Sequence, residues 1–158
     1  MKTIAYQGIK GAFSYITALR AFGEDNSFIG LSTFKEVFER LDSGKSDYVM
    51  IPIENSLIGS IYENYDLMNS HEMQIIAEHY TKIEHCLLTI PSPQKGETLR
   101  NITKVLSHPK ALEQCTSFFK DHPWIEAVAY MDTAAAAAEV ATKGDPTCGA
   151  IASEAFNG

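Results

Sequence analysis

The residues of this chain best suited to chemistry stand together at Glu54, Asn55 and Ser56, with Gly59 and Ser60 just beyond. A carboxylate, an amide and a hydroxyl can between them hydrogen-bond a ligand carboxylate, a ketone or a departing hydroxyl. Glu54 can do so toward an anion only when protonated or bridged. These residues directly follow the run V-M-I-P-I at positions 49–53. A short apolar run without polar alternation reads as a strand covered on both faces. Pro52 removes one ladder donor, which places that strand at an edge or ends it there. Polar groups and glycine at the carboxyl end of such a strand occupy the place where open α/β sheets bind ligands. The same composition also describes an ordinary polar turn.

Three further polar clusters sit at strand ends. In Q-G-I-K-G-A-F-S, positions 7–14, Gly8 and Gly11 make a tight turn and Ser14 is the expected N-cap of a helix ending near Gly23. Such a turn, through Gly11, Ala12, Phe13 and Ser14, can expose N–H groups to an anion. It is neither a G-x-G-x-x-G fingerprint nor a Walker loop, so it gives nucleotide binding little support. Ser107-His108-Pro109 opens a second helix, expected to run to about Lys120. Pro109 suits the first helical position, and Ser107 or His108 the cap. Gln114, about one and a half turns in, can face the same mouth as Ser107. Asp132 or Thr133 caps an alanine-rich helix that Gly144 stops. Helix N-termini carry unpaired N–H groups and a positive dipole end. Two lobes whose helix starts converge on one cleft would make a dicarboxylate site. The need of every helix for a cap explains each cluster separately, but not the glycines beside two of them.

The elements that would position these groups alternate. Strands are expected at 3–6, 27–31 and 49–53, with helices between them. Thr33 and Glu36 have capping-box spacing, and Phe34, Val37, Phe38 and Leu41 form a core stripe closed by Gly44. This β-α-β-α-β order predicts a parallel sheet. A helix follows at 61–70, with Ile61, Tyr65 and Met68 on one face, then extended segments at 74–78 and 80–90. His85 reads as a packed or hydrogen-bonded core residue, because no second metal ligand lies at a recognised spacing. Positions 91–96 form a surface loop. A second β-α-β-α-β set has strands at 105–106, 127–130 and 149–151, with Ser153 and Glu154 at the last strand's end.

Composition bounds the partners. A chain of 158 residues holds one ordinary domain or two small lobes, and 45% apolar with 21% charged residues fits a packed core. The net charge of −7, without a basic cluster, argues against nucleic acid. Local N–H groups can still bind a small anion. Cys86, Cys115 and Cys148 are widely spaced and suggest neither a disulfide framework nor a zinc site. Without an apolar leader or spanning segment, the expectation is a soluble, cytoplasmic protein with no membrane partner.

In order along the chain stand I-A-Y-Q-G-I-K-G-A-F-S, D-Y-V-M-I-P-I-E-N-S-L-I-G-S-I, I-E-H-C-L-L, S-H-P-K-A-L-E-Q-C, D-T-A-A-A-A-A-E-V-A and G-A-I-A-S. Together they resemble the prephenate dehydratase family from residue 3 to 153. The resemblance implies an α/β fold of two lobes, similar to type II periplasmic binding proteins, with the second lobe inserted in the first. Here that means residues 1–78 and 151–158 in the first lobe and 79–150 in the second. It implies conversion of prephenate to phenylpyruvate, with loss of water and carbon dioxide, on the route to phenylalanine. No cofactor or metal is implied, since aromatisation drives the reaction, and the full-length protein is expected to be a homo-oligomer. Glu54, Asn55, Ser107 and Gln114 fall at the family's pocket positions. Gly11, Ala12, Phe13, Ser14, Ser56, Gly59, Ser60, His108 and Thr133 are the expected supporting contacts.

The chain departs from the family at its end. Members carry an Asn and then a Thr-Arg-Phe motif whose threonine is regarded as the catalytic acid, and many carry a phenylalanine-binding ACT domain. Neither is found before Gly158. The expectation is therefore a fragment rather than a natural truncation, able to bind ligand with little turnover. Two other classes stay open: a silent two-lobed binding module, and a hydrolase using Ser107 or Cys115. No G-x-S-x-G elbow frames either nucleophile. The motifs do not separate prephenate from arogenate, which differ only in a keto or amino group.

Overall fold

The computed structural model of the protein describes residues 1–56, 59–91 and 98–153, with Thr98 by its backbone alone. The chain divides into two compact units, Met1–Lys82 and Ile83–Gly158.

In the first unit, β1 (Thr3–Gln7), α1 (Phe13–Phe22), β2 (Ser27–Leu31), α2 (Phe34–Asp42) and β3 (Tyr48–Met50) follow the expected alternation. β1 is central, with β2 and β3 parallel on either side, and buries Ile4, Ala5 and Tyr6 in succession. That pattern is expected for a parallel strand covered on both faces. The capping box forms at α2: Glu36 N donates to Thr33 Oγ1 at 3.2 Å, and Thr33 N donates to Glu36 Oε2 at 2.9 Å. The stripe behind it buries Val37 and Phe38 completely.

β3 differs from expectation. It ends at Met50 and is half-buried throughout, because it lies at the edge of the three-stranded sheet. Pro52, lacking an N–H, falls beyond the strand. The chain then makes a two-residue antiparallel ladder, β4 (Glu54–Asn55) with β5 (Gly59–Ser60), before α3 (Tyr62–Ser70). Residues 72–85 carry neither helix nor strand, so the segment read as extended at 74–78 joins no described sheet, and of 80–90 only Cys86–Thr89 does. Ile75 and Ile76 are 77% and 66% exposed, and no described strand offers them a ladder.

The second unit contains β6 (Cys86–Thr89), α4 (Thr98–Asn101), β7 (Lys104–Ser107), α5 (Pro109–Gln114), α6 (Thr116–Asp121), β8 (Glu126–Ala129), α7 (Thr133–Lys143) and β9 (Cys148–Ala152). Its sheet has the order β6-β9-β7-β8, with β7 parallel to β8 and β9, and β6 antiparallel to β9. Side chains alternate across the strands. Leu106, Ala150 and Ala152 accordingly pack with Ala136, Ala137 and Val140 of α7, while Val105 and Ile151 pack with Ala111, Ile102 and Ile125.

The single helix expected from Pro109 to Lys120 breaks at Cys115, whose φ of −100° and ψ of 20° leave the helical range. Its N–H reaches only Leu112 O, and the Thr116 hydroxyl takes Glu113 O. The compact units divide between Lys82 and Ile83. Ile151 and Ala152 pair with Leu87 and Cys86 inside the second sheet. Glu154, the remainder of the expected return leg through 158, and most of the 91–96 loop lie outside the described residues. No described helix is long and apolar enough to cross a membrane.

Asp47 ties the start of the first sheet together. Its Oδ2 accepts from Thr3 N at 2.8 Å and its Oδ1 from Lys2 Nζ at 3.1 Å. The backbone bond first, then the lysine, hold its carboxyl below the ordinary value of 3.8. A carboxyl depressed by folding contributes stability above its unfolded pKa and loses it as pH falls through the folded one. We therefore expect Asp47→Asn to lower the melting temperature at neutral pH, with the gap closing at pH values below 3.8. A gap that persists unchanged into strong acid would refute this assignment.

Candidate ligand-binding site

The segment carrying Glu54, Asn55 and Ser56 is clamped at both ends. Ile61 N donates to Ile53 O at 2.9 Å, and Asn64 Nδ2 donates to Pro52 O at 2.8 Å. Between these clamps Glu54 stands opposite Ser60 and Asn55 opposite Gly59. Glu54, Ser56 and Gly59 are exposed, while Asn55 and Ser60 are half-buried. Asn55-Ser56 does not feed a helix as expected. α3 begins only at Tyr62, and Ile61 at its N-cap supplies no side-chain bond. The cause is the β4–β5 ladder, which uses the residues that would otherwise lead straight into the helix.

Asn64 is a residue the sequence pattern missed. The apolar spacing predicts a face of Ile61, Tyr65 and Met68, yet Tyr65 is 38% exposed and Asn64 is fully buried. Among the described residues its Oδ1 finds no hydrogen-bond partner, so the side chain serves through its amide nitrogen. Nothing in the local sequence marks it, since an asparagine on a helix ordinarily reads as its solvated side.

The glycine turn after β1 has Gly8 and Gly11 at φ of 111° and 94°, where a side chain would be strained. Gly8 N donates to Leu31 O at 2.8 Å. A Cβ placed on Gly30 would run into Gly8 O, so turn and β2 touch only because Gly30 carries no side chain. Ser14 is not the N-cap. α1 begins two residues earlier than a Ser14 cap implies, at Phe13, with Ala12 extended at the cap position and no side-chain bond. Gly11, Ala12, Phe13 and Ser14 are all half-buried at this helix start.

In the second unit Ser107 is fully buried and its hydroxyl donates to Ile151 O at 2.7 Å. The expectation that it shares a mouth with Gln114 is thus corrected: Ser107 turns inward and ties β7 to β9. His108 is the cap of α5, its Nδ1 accepting from Lys110 N at 3.1 Å, with Pro109 at the first helical position. Gln114, the last residue of α5, has Oε1 2.6 Å from His85 Nε2. An amide oxygen carries no proton, so the imidazole Nε2–H is the donor. His85 is thereby a hydrogen-bonded residue, as its surroundings in the sequence predict. At α7, Asp132 Oδ1 accepts from Ala135 N at 2.6 Å, and Thr133 is the half-buried first helical residue rather than the cap.

Nucleophile chemistry finds little support among these groups. The Ser107 proton is committed to a backbone carbonyl, and burial pushes the Cys115 thiol up, away from the reactive thiolate. Among the described residues no group of three or more His, Cys, Asp or Glu side chains could hold a metal ion. What the candidate residues offer is hydrogen bonding: from Asn55 and the backbone around it in the first unit, and separately from Gln114 in the second.

The Asn64 clamp is directly testable. Asn64→Leu removes the donor to Pro52 O and leaves that half-buried carbonyl without its partner, a penalty of about 1–3 kcal/mol that loss of the Oδ1 acceptor offsets only in part. The melting temperature should therefore fall modestly. Amide exchange at Ile61, Glu54 and Asn55 should accelerate as the clamp loosens. Unchanged exchange rates would show that Asn64 does not hold this segment.

The family model of prephenate dehydratase matches residues 4–157. The arogenate dehydratase/prephenate dehydratase 1, chloroplastic, of Arabidopsis thaliana is 39% identical over 150 residues, which cover 95% of this chain and 37% of that protein. The bifunctional chorismate mutase/prephenate dehydratase of Escherichia coli K12 is 35% identical over 156 residues, covering 96% and 39%. The chain thus spans less than half the length of these relatives. Among solved structures, that of prephenate dehydratase from Arthrobacter aurescens in complex with L-Phe has a TM-score of 0.75 at 25% identity, covering 98% of this chain and 50% of that one. The structure of GqqA, described as a novel type of quorum quenching acylase, has a TM-score of 0.83 at 30% identity, covering 98% and 55%. With one family model matched across nearly its whole length, the chain belongs to the prephenate dehydratase family.

Proposed function

We propose that the protein converts prephenate to phenylpyruvate, releasing water and carbon dioxide, in phenylalanine biosynthesis. The observation that carries this is the family match over residues 4–157, within which Glu54-Asn55 lies on a segment held at both ends. The finer architecture belongs to the same proposal: two lobes of the type II periplasmic-binding-protein kind, the second inserted in the first. So do a cytoplasmic location and a homo-oligomeric full-length protein.

Aromatisation of the ring supplies the driving force, so the protein's work is to bind two carboxylates and favour departure of the hydroxyl. In the first unit Asn55 supplies an amide donor and the start of α1 at Phe13 and Ser14 supplies backbone N–H groups; in the second, Gln114 supplies an amide donor. Glu54, exposed beside Asn55, contributes to an anion only when protonated or through a bridging water. Ser107 acts indirectly, by fixing the strand end from which His108 and α5 continue. Acylase chemistry, the activity ascribed to GqqA, would need a nucleophile, and the buried Ser107 and the raised Cys115 thiol are poor candidates. Arogenate is the second substrate reading, favoured by the names of the plant relatives.

Asn55→Ala should cut prephenate turnover sharply in a chain that carries the family's Thr-Arg-Phe segment. Losing an oriented donor to developing charge typically costs about 2.7–4 kcal/mol, or roughly 10²–10³-fold. Phenylpyruvate absorbance reads the rate and circular dichroism the fold. Kinetics equal to those of the unsubstituted chain, with an intact fold, would remove Asn55 from the site.

A further inference from the structure

We propose that β8, at the edge of the second sheet, pairs antiparallel with β8 of a second copy of this chain, about a two-fold axis through Val128. The inference gives the homo-oligomer a surface, and it does not depend on the reaction catalysed.

β8 joins β7 on one side, and no described strand pairs with the other. Glu126 N donates to Thr103 O and Tyr130 N to Ser107 O, so these residues turn their N–H groups toward β7. In a parallel ladder, alternate residues bond to the same neighbour. The N–H and C=O groups of Ala127 and Ala129 therefore face away from the sheet, and both residues are exposed. Such an edge is a template for another strand, and proteins that keep it single blunt it with lysine, proline or a bulge. Glu126-Ala127-Val128-Ala129 has none of these, and its register on β7 is regular. β6, at the other edge, is half-buried throughout. Trp124 is 49% exposed and Met131 75% exposed, one large apolar side chain beyond each end of the open strand.

Charge and register select the partner. In a strand that pairs antiparallel with its own copy, outward groups must meet outward groups, which sets the two-fold axis through a residue. An axis through Glu126 or Ala129 would oppose like charges, Glu126 to its own copy or to Asp132. An axis through Ala127 would call on Ile125 N, which already donates to His122 O. An axis through Val128 sets Ala127 against Ala129, and each such pair exchanges both of its hydrogen bonds. Glu126 then stands across from Tyr130, and no carboxylates oppose one another. Met131 of each copy reaches the end of the strand where the other exposes Trp124. The contact uses the same patch on both copies and closes at two, the commonest form of soluble oligomer.

The experiment is sedimentation equilibrium of the whole 158-residue chain, from about 1 µM to about 1 mM so that weak association is read. We expect a reversible monomer–dimer equilibrium. Ala129→Pro removes an outward donor, leaves the β7 ladder intact, and should raise the dissociation constant at least tenfold. Met131→Lys, beyond the strand, should raise it too, and keeps the test decisive if circular dichroism shows that Ala129→Pro fails to fold. On the axis the two Val128 Cα atoms would stand about 4.5 Å apart, within disulfide reach. Val128→Cys should therefore cross-link in oxidised glutathione, with mass spectrometry locating the bond at position 128 of both copies. A monomer throughout the range, a dimer that neither substitution weakens, or cross-links through other cysteines alone would overturn the proposal.

Discussion

The second unit hangs on β9. This strand is the last described element of the chain, yet it lies inside the sheet, with β6 antiparallel on one side and β7 parallel on the other. Gly149, Ala150, Ile151 and Ala152 are all buried. Its residues alternate between the cluster under α7 and the cluster that includes Ala111 of α5. Among the described strands, the only ladder partner of β6 is β9. His85, one residue before β6, therefore owes its place to a strand more than sixty positions later. Ser107 is secured to the same strand through Ile151 O. The hydrogen-bonding groups of this unit are thus local in sequence but positioned from a distance.

Several polar side chains serve the fold as fasteners. Asn64, Ser107 and Asp132 spend their bonding capacity on Pro52 O, Ile151 O and Ala135 N. Each is worth more as a fastener than as a contact, since an unmade hydrogen bond inside the fold costs more than a made one contributes. Asn55 and Gln114 stand at the ends of what these residues hold.

Features set by neighbouring residues were legible in the sequence. The Thr33–Glu36 box, Pro109 at the head of α5, and Gly44 and Gly144 beyond their helices depend on three or four positions of context. So does the alternation that separates the strands of the two sheets. Features decided by distant partners were not legible. Ser107 points inward because Ile151 offers a carbonyl 44 positions away, and Asn64 is buried because Pro52 does so across twelve. Residues 74–78 have strand composition, but composition supplies no neighbouring ladder. The break at Cys115 was missed because the apolar spacing continues across it, while Thr116 diverts a carbonyl from the helix.

The two sheets also differ in when they can form during synthesis. All three strands of the first sheet lie between Thr3 and Met50, so that sheet can assemble while the rest of the protein is still being translated. The second sheet must wait for β9, and until then β6 and β7 have no strand between them. A nascent chain would therefore carry a folded first unit beside strands with open edges, the state in which chains associate wrongly. Any stall before β9 has cleared the ribosome would prolong that exposed state, and only a pause after its emergence would give the strand time to insert.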